Sequence, residues 1–313
     1  MIRTAIPALV RRELQENRVA FVWTPGVLVS LMLLLLLAGL LALGRHGEGG
    51  QIIFEMGKTV VRSANGLSLL LRELADHSPG EQKLVITGLL HALTVPALIA
   101  VPFVVFFTLL SSLYEERRDR SILFWKSMPV PDWAEVGVKF LAATVLAPAI
   151  VLGFAILAQL VAWVILLLVA WGVGASLTPW MTALPVVAYQ WLVVAVALGV
   201  WALWAAPVWG WVLFCSAFAP RTPFGFAVVP PIVLLIVEGM FFRTHHFAEW
   251  LGRHLFAFPL FRGFSRGEVS ADELLTLKLV NLLSSLAEPG LWVGLLIAAF
   301  FLAAATWLRR HAL

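Results

Sequence analysis

Residues of the types that bind metal ions come together once along the chain, at His245, His246, Glu249 and His254. Imidazole nitrogens and carboxylate oxygens are common zinc ligands. On a helix, however, His246 and His254 would lie roughly 80° from a common face, because eight residues exceed two turns. The neighbouring Phe247 and Trp250 favour the alternative, a segment lying at a membrane interface. We therefore predict no metal site.

Motifs for ATP binding and for zinc peptidase chemistry are absent from the sequence: the chain contains no G-x-x-x-x-G-K-[ST] phosphate loop and no H-E-x-x-H. Gly263–Gly267 matches the short pattern G-x-S-x-G, but the all-α fold predicted below lacks the strand that precedes the nucleophile in serine hydrolases. We predict no catalytic residue and no cofactor bound by this chain.

Glu238 is the one charged residue within a long apolar run, Phe224–Phe242. A carboxylate inside a bilayer is costly and usually has a partner or a role. Two interpretations stay open: Glu238 anchors the end of a helix at the interface, or it lines a path for a substrate.

The highest density of charge lies in Tyr114–Lys139, between two uncharged apolar runs. Its eleven ionisable residues are Tyr114, Glu115, Glu116, Arg117, Arg118, Asp119, Arg120, Lys126, Asp132, Glu135 and Lys139. A plain connector between two spans would not need the apolar group Ile122–Trp125 in its middle. An amphipathic element among charges indicates a docking surface for a soluble partner; as a solvated loop it would leave Phe124 and Trp125 exposed without purpose.

The segment Tyr114–Lys139 is predicted to form two helices. Pro129 and Pro131 discourage helix just before Asp132, and Asp132 with Glu135 fits a capping box. We therefore predict one short helix over Glu115–Lys126 and a second that begins at Asp132 and enters the membrane.

Composition places the chain in a membrane. Hydrophobic residues make up 61% and charged residues 13%, with a mean hydropathy of +0.94, whereas soluble domains average about 25% charged residues. The net charge of +4 is explained by basic residues beside apolar runs, where anionic lipid headgroups lie, so no nucleic-acid partner is predicted. The single cysteine, Cys215, excludes an intrachain disulfide.

The fold class predicted is an all-α polytopic membrane protein, because apolar runs of about 20 residues cross a bilayer as helices. The single domain, 1–313, divides into an elbow helix at 1–21, span one at 22–43, an outer loop at 44–83, span two at 84–113, a cytoplasmic segment at 114–139, span three at 140–171, span four at 185–218, span five at 223–242, an outer loop at 243–288 and span six at 289–308. The turn between spans three and four is placed at Gly172–Pro185, from its Gly and Pro content.

The N-terminal elbow is predicted from Ile6, Val10 and Leu14, which recur at helical spacing. Its charged residues include Arg11, Arg12, Glu13 and Arg18. We expect an amphipathic helix on the membrane surface that leads into span one; the alternative is a frayed basic tail.

Topology follows from the basic residues. The side with both termini and Tyr114–Lys139 holds 12 of the 22 Lys and Arg residues, which predicts that this side is cytoplasmic. In the outer loops, apolar and polar residues alternate with a helix-like spacing over Ile52–Ala75 and Ser270–Leu286. The second of these segments begins with a capping-box pattern at Ser270–Glu273.

Gly290, Gly294 and Ala298 form a ridge of small residues on span six that is suited to close helix contact.

The central stretch resembles the signature of ABC-2-type permeases, the membrane subunits of ATP-binding-cassette exporters. The resemblance is carried by an acidic residue, a small-residue pair, a Ser-x-Pro and a lysine that opens the third span: Glu116, Arg120-Ser121, Leu123, Ser127-Met128-Pro129 and Lys139. It extends over the chain through the elbow, the six spans, Ala206-Pro207 and Ala219–Thr222. The chain departs from the family at Arg120, where the pattern usually has Gly.

The resemblance implies a non-catalytic transport subunit in a bacterial cytoplasmic membrane, with both termini cytoplasmic. Its partners would be a separate ATPase subunit that binds ATP and Mg, a second permease copy or a related permease, and membrane lipid. Arg11–Arg18 would brace against the ATPase. The coupling residues implied are Glu115, Glu116, Arg117, Asp119, Ser121, Ile122, Leu123, Phe124, Trp125, Lys126, Pro129 and Asp132. The apolar spans favour a hydrophobic or amphipathic substrate.

Two other classes compete with the exporter subunit. A secondary transporter or channel is expected to have more than one ionisable residue within the membrane and broken helices at matching positions in two halves. Neither feature is evident in this sequence. A membrane-embedded enzyme would need a catalytic pair, and the sequence offers none.

Overall fold

The structure is a computed structural model that describes residues 2–45, 52–56, 59–63, 74, 76–128, 130–256 and 279–311. Its helices are α1 (Ile2–Glu16), α2 (Thr24–Arg45), α3 (Pro79–Ala92), α4 (Val95–Arg118), α5 (Ile122–Lys126), α6 (Asp132–Leu141), α7 (Ala147–Gly172), α8 (Thr178–Trp204), α9 (Ala206–Phe218), α10 (Pro223–Val237), α11 (His246–Phe256) and α12 (Pro289–His311). Single π-helical turns at Val19–Trp23, Ala142–Leu146 and Glu238–Phe242 join or extend these helices, and Ser285–Ala287 is a 3₁₀ turn.

Six helical segments among the described residues are long and apolar enough to cross a membrane, with mean hydropathies of 2.0 to 2.8. They are Val19–Leu43, Pro79–Arg118, Asp132–Gly172, Thr178–Trp204, Pro223–Phe242 and Pro289–His311, hereafter spans one to six. The prediction of a largely helical, multi-pass membrane protein is confirmed at this level.

Span four differs from the predicted 185–218. The turn after α7 occupies only 173–177, with Gly174 at φ +70°, and α8 begins at Thr178 with Pro179 in its first turn, a position that suits proline. The helix then breaks at Ala205, and α9 follows as a separate 13-residue helix. Pro207 explains the break, because proline lacks the N–H that continues a helix and its ring clashes with the carbonyl four residues back.

The helix-like interpretation of Ile52–Ala75 is wrong over its first half. Strand β1 (Ile52–Met56) pairs with strand β2 (Thr59–Ser63) in an antiparallel hairpin, with Ile52 opposite Ser63. The β-branched residues of both segments favour a strand over a helix. The capping box predicted at Ser270–Glu273 lies outside the described residues.

Helix α9 is central to the bundle and packs closely on α12 and α4. Its residues Trp209, Val212 and Leu213 belong to the largest buried core cluster. At Gly210 a Cβ atom would lie 3.3 Å from the Ala298 carbonyl oxygen, so the two helix backbones are in near contact. The predicted small-residue ridge on span six is therefore a contact face, with Ala298 against α9 and Gly294 against Pro207 and the ring of His254.

Candidate functional site

Five buried charged side chains meet at the end of the bundle where α1, α4, α6 and α12 come together. They are Glu13, Glu116, Glu135, Lys139 and Arg309. With the side chain of Arg12, which is 13% exposed, they form what we call the ion cluster. Three cations face three anions in it, so the cluster is neutral.

Each member of the cluster bridges to another helix. The Lys139 Nζ lies 2.8 Å from a Glu13 oxygen and 3.0 Å from a Glu116 oxygen. Arg309 also pairs with Glu116 and lies 3.3 Å from Asp132. Arg12 donates to Glu135 and, at 3.3 Å, to Glu116. The elbow helix and the ends of spans two, three and six are thereby held in one network.

The pairing compensates for burial. Withdrawing a charge from water costs several kcal/mol per ion, and only well-placed opposite charges offset this. Burial acts to lower the pKa of Arg12, but the carboxylates of Glu135 and Glu13 outweigh it, so the pKa lies above its ordinary value. At the edge of the cluster, Glu16 pairs with Arg12 at 3.3 Å, and partial burial raises its pKa.

Helix α5 is fastened to this cluster from one side. The guanidinium carbon of Arg12 lies 4.0 Å from the centre of the Trp125 ring, a cation–π contact. The Lys126 Nζ donates to the Arg310 carbonyl oxygen at 3.2 Å, and Ile122 is buried. The other side of α5 is open, with Leu123 56% and Phe124 62% exposed.

The predicted coupling residues thus divide by environment. Glu116, Ile122, Trp125 and Asp132 contact the protein itself, and Arg117 donates to the carbonyl oxygens of Ser216 and Ala219, each at 2.8 Å. Ser121 is half-buried and its hydroxyl lies 3.4 Å from the Glu116 carbonyl oxygen. Glu115, Asp119, Leu123 and Phe124 are exposed, and Pro129 lies outside the described residues. In the elbow, Arg12 and Glu13 join the cluster, whereas Arg11 and Arg18 are exposed.

The single helix predicted over Glu115–Lys126 is wrong. Span two continues to Arg118 and the chain turns at 119–121 before α5 begins. Arg120 adopts a left-handed conformation in this turn, with φ +58°. A residue with a Cβ atom pays about 1–2 kcal/mol for that conformation, whereas Gly adopts it freely.

The predicted capping box at Asp132 is also absent. Helix α6 does begin at Asp132, but its N-cap is Pro131, in extended backbone conformation, and no side chain caps it. The Asp132 carboxylate instead pairs with Arg309, and Glu135 lies in the cluster. Both carboxylates therefore face guanidinium groups: Asp132 forms an ion pair with Arg309, and Glu135 accepts a charged hydrogen bond from Arg12, a strong class of interaction.

A second feature is a cavity of about 1170 Å³ between α4, α9, α10, α11 and α12. Its wall is almost entirely apolar and rich in aromatic rings, among them Phe103, Trp209, Trp211 and Phe301. His91 and the indole N–H groups are the main polar features of this lining. The cavity can hold a large hydrophobic molecule, and its wall offers no pair of charges for an ion.

Glu238 lies outside this lining. Its carboxylate accepts hydrogen bonds from the Phe247 backbone N–H, at 2.9 Å, and from the Thr244 hydroxyl, at 3.1 Å. Glu238 therefore ties the end of span five to the first turn of α11, as the anchor interpretation expects.

The histidines near α11 do not converge. His254 is buried between the rings of Trp204 and Trp250, and its Nδ1 lies 2.8 Å from the Trp250 carbonyl oxygen. Burial lowers its pKa. No group of three His, Cys, Asp or Glu residues suited to one metal ion occurs in the part of the chain that the structure describes.

Sequence reasoning missed the cluster as a unit. Lys139, Glu135 and Arg309 stand at the ends of apolar runs, where charges are expected to reach water. One signal was available in the sequence. The acidic Glu116 at the end of span two and the basic residues Lys139 and Arg309 at the ends of spans three and six have opposite charges and can pair.

Comparisons with known proteins leave the chain without a match: no family model, no curated protein and no solved structure matches it.

Proposed function

We propose that this chain is the membrane-spanning permease subunit of an ATP-binding-cassette exporter of the ABC-2 type. In this proposal, ATP is hydrolysed by a separate ATPase subunit that docks on α5. The observation that carries it is the two-sided character of α5: Leu123 and Phe124 are exposed, whereas Trp125 contacts Arg12 of the ion cluster.

This arrangement suits the transmission of movement. A partner can drive a conformational change only if its contact energy differs between two states of the protein. A displacement of α5 would act directly on Arg12, and through the cluster on the elbow and on spans two, three and six. Helix α5 could then move several spans as a unit, as rigid elements do in switching proteins.

The backbone at Arg120 supports the resemblance on which the proposal draws. The ABC-2 pattern usually has Gly at this position, and the chain adopts a left-handed conformation there, the conformation for which Gly is favoured. The residue departs from the pattern, but the turn is of the kind that the pattern's glycine would make.

The substrate in this proposal is hydrophobic or amphipathic, and the apolar cavity supports that class. A second permease copy, or a related permease, would cover part of the outer surface of spans one and five. These spans are the least buried, with 6% of each span's most apolar window inside the protein. Lipid would cover the rest.

Cross-linking from position 124 tests the proposed function. A photoreactive phenylalanine analogue at Phe124 should capture, in membranes of the source cell, a polypeptide with a G-x-x-x-x-G-K-[ST] loop, identified by mass spectrometry. The same analogue at Phe241 is the matched control, because this exposed Phe lies in span five's terminal turn, away from the cluster. Capture of only lipid or unrelated proteins at position 124 would contradict the proposal.

The proposal places α5 and both termini in the cytoplasm of a bacterial cell, and cysteine labelling tests this orientation. In a Cys215→Ala background, which removes the one native thiol, Asp119→Cys should be protected from an impermeant maleimide in intact cells. His245→Cys, exposed beyond span five, should label. Both should label after permeabilisation, and the reverse pattern in intact cells would invert the orientation.

A further inference from the structure

Helix α11 holds a histidine in surroundings that disfavour a charge on its ring. The His254 side chain is 2% exposed, and the ring centres of Trp204 and Trp250 lie 5.3 and 4.3 Å from that of its imidazole. Its Nδ1 lies 2.8 Å from the Trp250 carbonyl oxygen, which can only accept, so the neutral ring carries its proton on Nδ1. Its Nε2 has no hydrogen-bond partner of normal geometry among the described residues.

The Nε2 side of the ring packs against span six. A Cβ atom at Gly294 would lie 2.8 Å from Nε2, closer than the two atoms can approach, so any side chain at this position would displace the imidazole. The contact fixes α11 to the second turn of α12, which begins at Pro289.

The ionisable groups around α11 provide no counter-charge for the ring. They are His246, Glu249 and Arg253 on the helix itself, Glu238 on span five, Glu288 before α12 and His91 in the cavity wall. Glu288 pairs with Arg253 at 2.7 Å, Glu238 accepts from the Phe247 N–H, and Glu249 is exposed. Helices α8 and α9, which also pack near the ring, contain no charged residue.

The docked ring therefore resists protonation. Burial lowers the pKa of His254, and the carbonyl groups of Trp250 and Gly290 offset this only in part. A ring released to water has a pKa of about 6.5, so the released state binds more protons below that pH. The free energy of docking is fully present above about pH 6.5 and decreases as the pH falls below it.

Helix α11 also forms part of the cavity wall, to which it contributes Phe247, Trp250, Leu251 and Leu255. Beyond the contacts of His254, a hydrogen bond of 3.1 Å from the Trp201 indole N–H to the Leu255 carbonyl holds the helix, and the pair of Arg253 with Glu288 is about half exposed. Movement of α11 would therefore open the wall of the cavity.

This part of the wall lies far from the ion cluster. Gly294, which contacts His254, and Arg309, which belongs to the cluster, are 15 residues apart on α12. At 1.5 Å per residue the separation is about 22 Å. His254 and the ion cluster are therefore at opposite ends of the bundle.

We propose that His254 is a pH-sensitive switch: protonation of its ring releases α11 from span six and opens the cavity at the end away from the ion cluster. The inference goes beyond the proposed function, since it requires neither an ATPase nor a substrate. The competing explanation is that Trp204 and Trp250 retain the charged imidazolium through cation–π contacts, in which case α11 stays docked at every pH.

Pulsed EPR distances between two nitroxide labels distinguish the two. The labels are attached to Ala248→Cys, exposed on α11, and to Trp171→Cys, exposed at the end of α7, in a Cys215→Ala background, with the purified chain in lipid nanodiscs. One distance population is expected at pH 8. At pH 5 a second, longer population should appear. The ratio of docked to released chains should fall by up to about tenfold per pH unit, the limit for one proton.

His254→Asn tests the titrating group. The Asn amide offers an N–H in the place of Nδ1–H and stays uncharged, so the variant should give the same distances at pH 5 as at pH 8. His246→Gln is the matched control: it removes another histidine of α11, but one that is exposed, and should keep the pH response.

Gly294→Ala tests the contact with span six without changing any ionisable group. Its Cβ atom displaces the His254 ring, so the longer distance should be more populated at pH 8 than in the unmodified chain. Gly290→Ala is the matched control, because its Cβ atom would lie 3.6 Å from the Trp204 ring, an ordinary contact distance.

A label pair without α11, at Trp171→Cys and Trp292→Cys, should give one distance at both pH values. Four results would overturn the inference: unchanged α11 distances at pH 5, a pH response that persists in His254→Asn, a Gly294→Ala variant no more released than Gly290→Ala, or a pH-dependent change in both label pairs. The assay contains no ATPase, so its result does not depend on the proposed function.

Discussion

Replacing Lys139 by Met is expected to lower the free energy of unfolding by about 3–5 kcal/mol, the usual cost of removing one partner from a buried ion pair. The Lys139 ammonium is 3% exposed and lies between Glu13 and Glu116. Its removal leaves two cations facing three buried carboxylates, and these carboxylates then repel one another in a medium of low polarity. The measurement is unfolding of the purified chain in mixed micelles, followed by tryptophan fluorescence.

Arg118→Met is the matched control. Arg118 also pairs with a carboxylate, that of Asp119 at 2.9 Å, but both side chains are more than half exposed. Exposed pairs contribute about 0–1 kcal/mol, so this variant should remain close to the unmodified chain.

A double variant separates loss of charge balance from loss of packing. Glu13→Gln together with Lys139→Met restores two cations facing two anions within the cluster. It should therefore be less destabilised than the sum of the single variants, with an interaction energy of about 0.5–3 kcal/mol. Strict additivity, or a Lys139→Met variant no less stable than Arg118→Met, would mean that the cluster is hydrated and does not hold the spans together.

The cluster also marks the limit of what the sequence could predict. The length and apolarity of the spans depend on local composition, because the bilayer requires about 20 apolar residues per crossing. Six such segments are predicted, and six occur in the described part of the chain. The ion pairs depend on which helix ends meet. Arg12 and Glu116 are 104 residues apart, and Glu116 and Arg309 are 193 apart, and no local pattern links them.

Short sequence motifs gave wrong predictions where a residue distant in sequence binds the same side chain. The carboxylates of Asp132 and Glu135 have the spacing of a capping box, but Arg309 and Arg12 bind them instead. Conversely, the turn at Arg120 could not be read from an arginine, because the left-handed conformation is signalled in sequence by Gly. At Ile52–Ser63 the spacing of apolar residues suggests a helix, but the β-branched residues favour the strands of the hairpin that forms there.

Neighbouring aromatic residues on α5 have different environments. Successive residues of a helix point about 100° apart, so Phe124 and Trp125 leave α5 in different directions, although the edges of their rings meet with centres 4.9 Å apart. The sequence indicated both as anchors for a partner. In the structure Trp125 packs under Arg12, whereas Phe124 is exposed beside Leu123. The predicted docking surface is therefore centred on Leu123 and Phe124.

Replacing Leu123 and Phe124 together with Ala is expected to weaken association with the ATPase by more than about a hundredfold. Truncation of a central aromatic anchor often costs about 2 kcal/mol or more, the loss of Leu123 adds apolar contact area, and each 1.4 kcal/mol is a factor of about ten. Since both side chains are exposed, the variant should fold normally. The measurement is co-purification of the ATPase captured from position 124, with the equilibrium constant obtained by titration in detergent.

Two comparisons make this result specific to the exposed side of α5. Phe241→Ala removes a Phe that is even more exposed than Phe124, in span five's terminal turn, and should leave association unchanged. Trp125→Ala removes the contact with Arg12, so it should lower the stability of the chain and the substrate stimulation of ATP hydrolysis while reducing ATPase affinity less than the double variant does. If the Leu123/Phe124 double variant binds the ATPase and supports export as the unmodified chain does, α5 is not the docking element, and the exporter proposal loses the observation that carries it.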